Sequence, residues 1–470
     1  MGLVWAAATS LAAGTLLDGV TPVALIALAG AAVSLLVRRA GVVVYVGMVS
    51  VAFVGGQMVA DVEREKRVVI GSLAHDVPHC SVEAIVAEQA GGLGTLLRVD
   101  RLVCGERTVE EAGTVVTDEI ERSPGTIVTA EGWILPFTEE GFDRARARTG
   151  AAAVFHARSL DVVGEPRGLL RAAAAFRESL VRSVEGLEPR RAGLLRGLTI
   201  GDTSGIDEAT EWQFRRTGLA HLVAVSGSNV AIVLACAAMF VGRARPAFRV
   251  AACGGVLFFY VLVVGPEPSV MRAAGMGAVA LAGIFLGRRA EPLQALGVAI
   301  VVLVALRPTL VTSVGLHLSA AATVGIVLWA RPLAERMRAL VPVPVAYALG
   351  VTIAAQIAVA PILIVVFGEV SLVAPLANLL AAPAVPPATV LGLCGALLGS
   401  VSAPVGGWVG MAAGPFAGWI VGVAEWLSRP SWAAVECPSW IGWAVAVPVC
   451  LAAARSILGL ARPPAVIGLE

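Results

Sequence analysis

Residues 197–229 read GLTIGDTSGIDEATEWQFRRTGLAHLVAVSGSN. A turn-rich polar patch, Gly201-Asp202-Thr203-Ser204-Gly205, leads into a charged helical segment that carries Trp212, Arg215 and Arg216. A long apolar segment starts near residue 219 and is broken early by Val225-Ser226-Gly227-Ser228-Asn229. A bilayer core offers no water to a freed backbone group. Small polar residues and a glycine at that depth therefore need protein or a water-filled cavity beside them. A break of this kind builds a path rather than an anchor.

Outward from this stretch, composition sets the class. The chain has 470 residues, 57% of them hydrophobic and 15% charged, too apolar for a soluble enzyme. Its apolar runs repeatedly exceed the roughly 18 residues that a transmembrane helix requires. A net charge of +1 argues against bulk electrostatic capture of nucleic acid, so any such contact must be local. Met1-Gly2 runs directly into apolar sequence without a basic start, which predicts a first transmembrane helix rather than a cleaved signal.

Three apolar segments open the chain, roughly 3–17, 20–37 and 41–60, and others resume from about 219 onward. The pattern predicts an α-helical polytopic membrane protein with about eleven or twelve transmembrane or re-entrant helices, the main helical domain covering 191–470. Arg38-Arg39, Arg243/Arg245/Arg249, Arg288-Arg289, Arg331/Arg336/Arg338 and Arg462 fall on one side of that alternation. Short arginine-rich loops stay cytoplasmic, which puts residues 61–190 outside.

Within the polar insert, 61–165 reads as β: Ser81–Val86, Thr95–Val103, Thr114–Thr117 and Thr126–Leu135 are separated by glycine- and proline-containing turns. A small barrel of the oligonucleotide/oligosaccharide-binding (OB) type and a β-sandwich fit equally. Residues 166–190 follow as an amphipathic helix, with Leu169, Leu170, Ala173, Phe176, Leu180 and Val184 on one face, expected on the membrane surface.

Cys80 and Cys104 are the only cysteines in the insert, and an external location predicts a disulfide between them. Cys236, Cys253, Cys394 and Cys450 sit in apolar segments as small packing residues. His75, Asp76, His79 and Cys80 are metal-ligating types, but Pro78 makes the segment a loop, so neither zinc nor another cofactor is expected. Five histidines are too few for a histidine-rich nuclease centre.

Gly406, Gly410, Gly414, Gly418 and Gly422 recur every fourth residue, a bare helix stripe that lets a neighbouring backbone approach. Arg272 lies in 266-PEPSVMRAAGM-276. An ionisable group in a span marks a functional position, unless it snorkels to the interface. Gln356 and Asn378 read as helix–helix hydrogen bonds, and His221 reads either as a packing residue or as part of the path.

The turn Gly201–Ile206, the phrase Arg215–Asn229, the segments Gly265–Arg272 and Gly315–Ser319, and Ala374–Pro386 occur in an order that resembles the ComEC family of competence proteins. The resemblance implies an extracytoplasmic OB-like domain, a helical channel in the cytoplasmic (inner) membrane, and passage of single-stranded DNA during natural transformation. Together with the break, it points to Asp202, Ser204, Trp212, Arg215, Arg216, His221, Ser226, Gly227, Ser228, Asn229, Arg272, His317 and Asn378 along the path. The partners it implies are a DNA receptor, a separate nuclease and a cytoplasmic helicase. Asn229 stands where the family commonly has histidine, and His317 where glutamine often precedes Leu-Ser. Family members often end in a metallo-β-lactamase-like domain. No histidine/aspartate cluster follows the last apolar segment, so the chain is expected not to be an enzyme and the nuclease to be another protein.

Two rival readings use the same break. Interrupted helices also suit a transporter of a small solute or cell-envelope precursor. Ser226 with His317 would make a nucleophile–base dyad for an intramembrane serine protease.

Overall fold

The computed structural model describes residues 79–89, 94–118, 120, 122–137, 151–223, 225–287, 291–306, 310 and 313–460. The three N-terminal apolar segments, His75, Asp76, Arg288-Arg289 and Arg462 lie outside the described residues.

A separate N-terminal sheet domain contains β1 (His79–Gln89), β2 (Thr95–Cys104), β3 (Arg107–Thr117), β4 (Ile127–Leu135) and β5 (Val154–Gly164). The strands pair in the cyclic order β1-β2-β3-β5-β4, with β4 returning to β1. All ladders are antiparallel except β3–β5, where Val116 pairs with Val154. Alternation explains the core: along β4, Val128, Ala130 and Ile134 point inward while Glu131 and Trp133 point out. They meet Val82, Leu102 and Phe155.

Register shifts in β1 at Glu83/Ala84 and Val86/Glu88 bend the strand. Gly132 sits at a similar shift between β4 and β5, and a Cβ there would collide with the His156 carbonyl. The disulfide is present: Cys80 and Cys104, both buried, join β1 to β2. Closing a loop of that size removes roughly 3 kcal/mol of unfolded-state entropy in the chain-entropy view. β5 is absent from the four strands expected above, because after Val154 and Phe155 its residues are mostly exposed and show no alternation to read.

The rest is helical: α1 (Leu169–Val184), α2 (Pro189–Ile200), α3 (Glu208–Arg216), α4 (Gly227–Val241), α5 (Pro246–Val264), α6 (Pro268–Phe285), α7 (Pro292–Leu306), α8 (Val314–Met337), α9 (Val343–Phe367), α10 (Ala374–Ala381), α11 (Val385–Gly399), α12 (Ala403–Ser428) and α13 (Ser439–Leu460). Five of these, α5, α6, α8, α9 and α12, are long and apolar enough to cross a membrane. The pair α10–α11, bent by 49° at its break, makes a sixth if it is one span. Pro383 lies in that break, and Pro386-Pro387 opens α11; proline disfavours helical backbone in the residue before it. The molecule is thus a multi-pass membrane protein, with five or six such spans among the described residues against eleven or twelve expected for the whole chain. Length accounts for part of the difference, since α4 and α7 are shorter apolar helices.

Helix α1 departs from the expected surface position. It packs into the bundle against α11 and α12, burying Ala173, Ala174, Ser179, Leu180, Ser183 and Val184. Small residues beside the apolar stripe permit this approach, and both buried serines are satisfied. Ser179 donates to the Ala396 carbonyl at 2.7 Å, and Ser183 to the Leu180 carbonyl at 2.8 Å. The glycine stripe of α12 is the other half of this contact. Gly406 faces Gly399 of α11, Gly410 faces the Ser183 carbonyl, and a Cβ on Gly414 would lie 2.6 Å from Leu187. Gly418 faces Arg191, but Gly422 meets nothing, so the stripe is in contact over four of its five positions. Gly325 of α8 against Ala358, and Gly350 of α9 against the Ala330 carbonyl, make a second close pair.

Candidate path through the helical domain

The turn after α2 is a closed clip. Arg196 binds the Asp202 carboxylate through both Nε, at 2.9 Å, and Nη2, while Ser204 donates to the other carboxylate oxygen through its backbone N–H (3.1 Å) and its Oγ (2.6 Å). Burial works against the ionised carboxyl. The bonds from Ser204 and Arg196, with the guanidinium charge, outweigh it and hold Asp202 below the usual carboxylate range. Asp202 and Ser204 therefore serve each other and Arg196.

Helix α3 starts on Asp207, whose side chain accepts from the Thr210 N–H. Its two terminal arginines diverge. Arg216 donates to the carbonyls of Ser428 (3.1 Å), Pro430 (3.0 Å) and Ser431 (2.6 Å), finishing the C-terminus of α12, and its guanidinium lies 5.2 Å from the Trp212 ring. Arg215 pairs with Glu369 at 3.3 Å. Glu369 opens β6 (Glu369–Ser371), which pairs with β7 (Ala434–Glu436), so α3 is tied to the loops that follow α9 and α12. The Arg216 guanidinium is thus occupied by the protein itself, whereas Arg215 makes a single contact through Nε and stays more than half exposed.

The apolar stretch after α3 is interrupted as its residues suggest. A short 3-10 turn at Ala220–Leu222 precedes it, and α4 begins only at Gly227. Ser226 is the N-cap residue but makes no capping bond; its Oγ is paired with the Ser228 Oγ. The carbonyl of Val225 accepts from Ser269 Oγ of α6 at 2.9 Å. Arg272 of α6, 7% exposed, packs directly against this start, with Nη2 at 2.5 Å from where a Cβ of Gly227 would be. Its Nε donates to Ser319 Oγ (2.7 Å) and its Nη1 to Thr323 Oγ1 (3.0 Å), both on α8, with the Met276 sulfur 3.2 Å from Nη1. Every one of these partners is neutral. A charge in a span costs about 2.5–3.5 kcal/mol on insertion scales, which a hydroxyl pair offsets only in part. Arg272 is not a snorkelling side chain.

The competence protein family matches residues 198–462, from the end of α2 through α13. The chain belongs to that family. It is 27% identical over 252 residues to ComE operon protein 3 of Bacillus subtilis (strain 168), a match covering 53% of this chain and 32% of that protein. It is 26% identical over 329 residues to the uncharacterized protein YcaI of Escherichia coli (strain K12), covering 64% of this chain and 42% of that protein. The matches thus span well under half the length of either relative. No solved structure matches the chain.

The remaining path candidates of this competence protein are scattered. Asn229 is fully buried, donating to the Leu198 carbonyl at 2.8 Å while its Oδ1 has no partner among the described residues. His221 is exposed and contacts the Gly218 carbonyl at 3.2 Å. Asn378 donates back within α10 to the Ala374 carbonyl (2.9 Å), and Gln356 to the Ser371 carbonyl (3.3 Å). His317 is exposed on the first turn of α8 and makes no hydrogen bond to Ser226, whose hydroxyl is taken by Ser228. The dyad needed for a serine protease is therefore not formed. Sequence reading missed Ser319 and Thr323. Their spacing of four on one helix face is the signal that was there to be used.

In the sheet domain, a groove of about 360 Å³ is lined by Glu83, Glu131 and Asp161 with Arg101. Carboxylates outnumber the guanidinium in this groove. His79 stacks edge-on against Trp133 at 5.5 Å. Among the described residues no group of three or more histidine, cysteine or acidic side chains is placed to hold a metal ion.

Proposed function

We propose that this chain forms the path by which single-stranded DNA crosses the cytoplasmic membrane during natural transformation. The observation that carries the reading is the opening of α4: an uncapped helix start inside an apolar stretch, faced by Arg272 of α6 and the hydroxyls of α8. A polar break of this kind needs protein, water or substrate beside it, and the family match runs through it. In this reading residues 61–165 are extracytoplasmic, and the cyclic strand order with a parallel β3–β5 closure supports an OB-like barrel. A surface receptor would deliver DNA, a separate nuclease would supply the single strand, and a cytoplasmic helicase would draw it in. The chain's own part is transport.

The test is uptake of labelled DNA by a transformable strain deleted for the chain and complemented with variants. Gly227→Leu is expected to abolish transformation while DNA still binds at the cell surface, because the side chain would displace Arg272 and crowd the start of α4. Normal transformation by a folded, membrane-inserted Gly227→Leu protein would overturn the path assignment. Failure of the wild-type gene to restore uptake, with accumulation of a small solute instead, would favour the transporter reading.

A further inference from the structure

The contact between the start of α4 and Arg272 of α6 has the chemistry of an anion site. The amide groups that begin an α-helix are unsatisfied and carry the positive end of the helix dipole. Here α4 begins at Gly227 with no side-chain capping bond and no acidic residue in its first turn, and the first of its amides to find a backbone partner is that of Asn229, on the Ser226 carbonyl. Helices α6 and α8 also approach with their N-terminal halves, since Arg272 follows Pro268 by one turn and Ser319 lies in the second turn of α8. Neither has an acidic residue in its first turn. Glu267, the N-cap residue of α6, stands beside Gly201.

The second, independent observation is Arg272 itself. It is more than nine-tenths buried, and its Nε and Nη1 are fixed by Ser319 and Thr323. Its Nη2 projects at Gly227 and has no hydrogen-bond partner among the described residues, and no carboxylate partners the guanidinium there. Arg216, by contrast, is occupied by three carbonyls, and Arg215 is paired through Nε with a carboxylate, Glu369. A buried cation held in place by neutral groups, beside uncapped helix amides, lacks a mobile anion to complete it.

We propose that Arg272 and the start of α4 bind one phosphate group of the single strand as it passes, a proposal that rests on the DNA-path reading above. The shared chemistry is a phosphate diester, which a lipid headgroup also carries. The position favours the nucleic acid, because the guanidinium lies between three helices of the bundle rather than on an outward face. Neutral partners suit transit. A carboxylate would occupy the guanidinium, whereas Ser319 and Thr323 orient it and leave Nη2 for each successive phosphate.

The experiment uses the full chain purified into nanodiscs of zwitterionic lipid, with labelled oligothymidylate as probe across a range of salt concentrations. Arg272→Gln is expected to weaken binding roughly tenfold and to reduce the magnitude of the salt slope by about 0.7, the value for one phosphate contact on a single strand. Arg272→Lys is expected to retain most of the affinity and all of the slope, since the charge remains. Gly227→Ala keeps the charge but presses on Nη2, and is expected to weaken binding several-fold; it carries the test if Arg272→Gln does not fold. Wild-type affinity and slope in folded Arg272→Gln, or unchanged affinity in Gly227→Ala, would overturn the site.

Two further arms separate the sources. If Arg272→Gln alters binding of phosphatidylglycerol but not of oligothymidylate, the site belongs to a lipid headgroup and the assignment to DNA is overturned. If the wild type binds no oligothymidylate yet binds inorganic phosphate through Arg272, the anion site stands and the DNA-path reading falls.

Discussion

Arg216 donates to three backbone carbonyls at and just beyond the end of α12, whereas Arg272 meets two hydroxyls and a thioether. Arg216→Ala is therefore expected to cost about 1–3 kcal/mol, because it strips donors from carbonyls at a helix end. Arg215→Ala removes one partly exposed ion pair and is expected to cost less than about 1 kcal/mol. Thermal unfolding in nanodiscs compares them; an equal effect of the two would contradict the capping role. Asp202 gives a pH dependence with a defined sign. Its folded carboxyl titrates below the usual range, so its stabilisation is present above about pH 4 and is lost as pH falls through the folded value. The stability difference between wild type and Asp202→Asn is expected to shrink below about pH 4, and a constant difference across that range would argue against the clip. At this scale the sequence exposed costly residues but not their pairings. Arg272 and the Ser226–Asn229 break are each conspicuous in an apolar run. Nothing periodic links Gly227 to Arg272, and adjacent arginines such as Arg215 and Arg216 leave a helix in different directions.

Among elements, α12 carries a contrast within one repeat. Gly410→Leu drives a side chain into the Ser183 carbonyl of α1, while Gly422→Leu enters open space. The first is expected to destabilise the bundle by several kcal/mol, above the roughly 1–3 kcal/mol of ordinary overpacking because backbone must move, and the second to be nearly neutral. Yield of folded protein and its unfolding temperature distinguish them; a neutral Gly410→Leu would sink the close contact. The spacing in sequence identified the stripe, yet could not say what lies opposite. That information belongs to α1, whose amphipathic pattern suits a membrane surface as well as a helix groove. Ser179 decides between the two, because its hydroxyl finds the Ala396 carbonyl of α11, whereas Ser183 bonds within α1 itself. Strand β5 was illegible for a different reason: only Val154 and Phe155, its first two residues, are buried.

For the whole molecule, apolar content and segment length gave the class, while the number of spans depended on how breaks are counted. The α10–α11 bend turns one apolar run into two helices, and α4 starts eight residues later than its apolar segment does. The disulfide makes a prediction at this scale because it belongs to the sheet domain alone. Replacing Cys80 and Cys104 together by alanine is expected to remove roughly 3 kcal/mol from that domain and little from the helices. Hydrogen exchange resolved by segment reads this directly: faster exchange confined to β1–β5 is expected, and equal protection with and without the bridge would refute it.

The capping of α12 by Arg216 also orders events in time. Its carbonyl partners lie 212 to 215 positions further along the chain. At ribosomal speeds of about 5–20 residues per second, roughly ten to forty seconds separate the synthesis of α3 from that of its anchor. Until Glu369 emerges, well before the end of α12, α3 has neither partner to hold it, and the polar break that follows must be sheltered by something other than its final neighbours. The nascent chain is thus most exposed to proteases and to misinsertion between the emergence of Arg216 and that of Ser431.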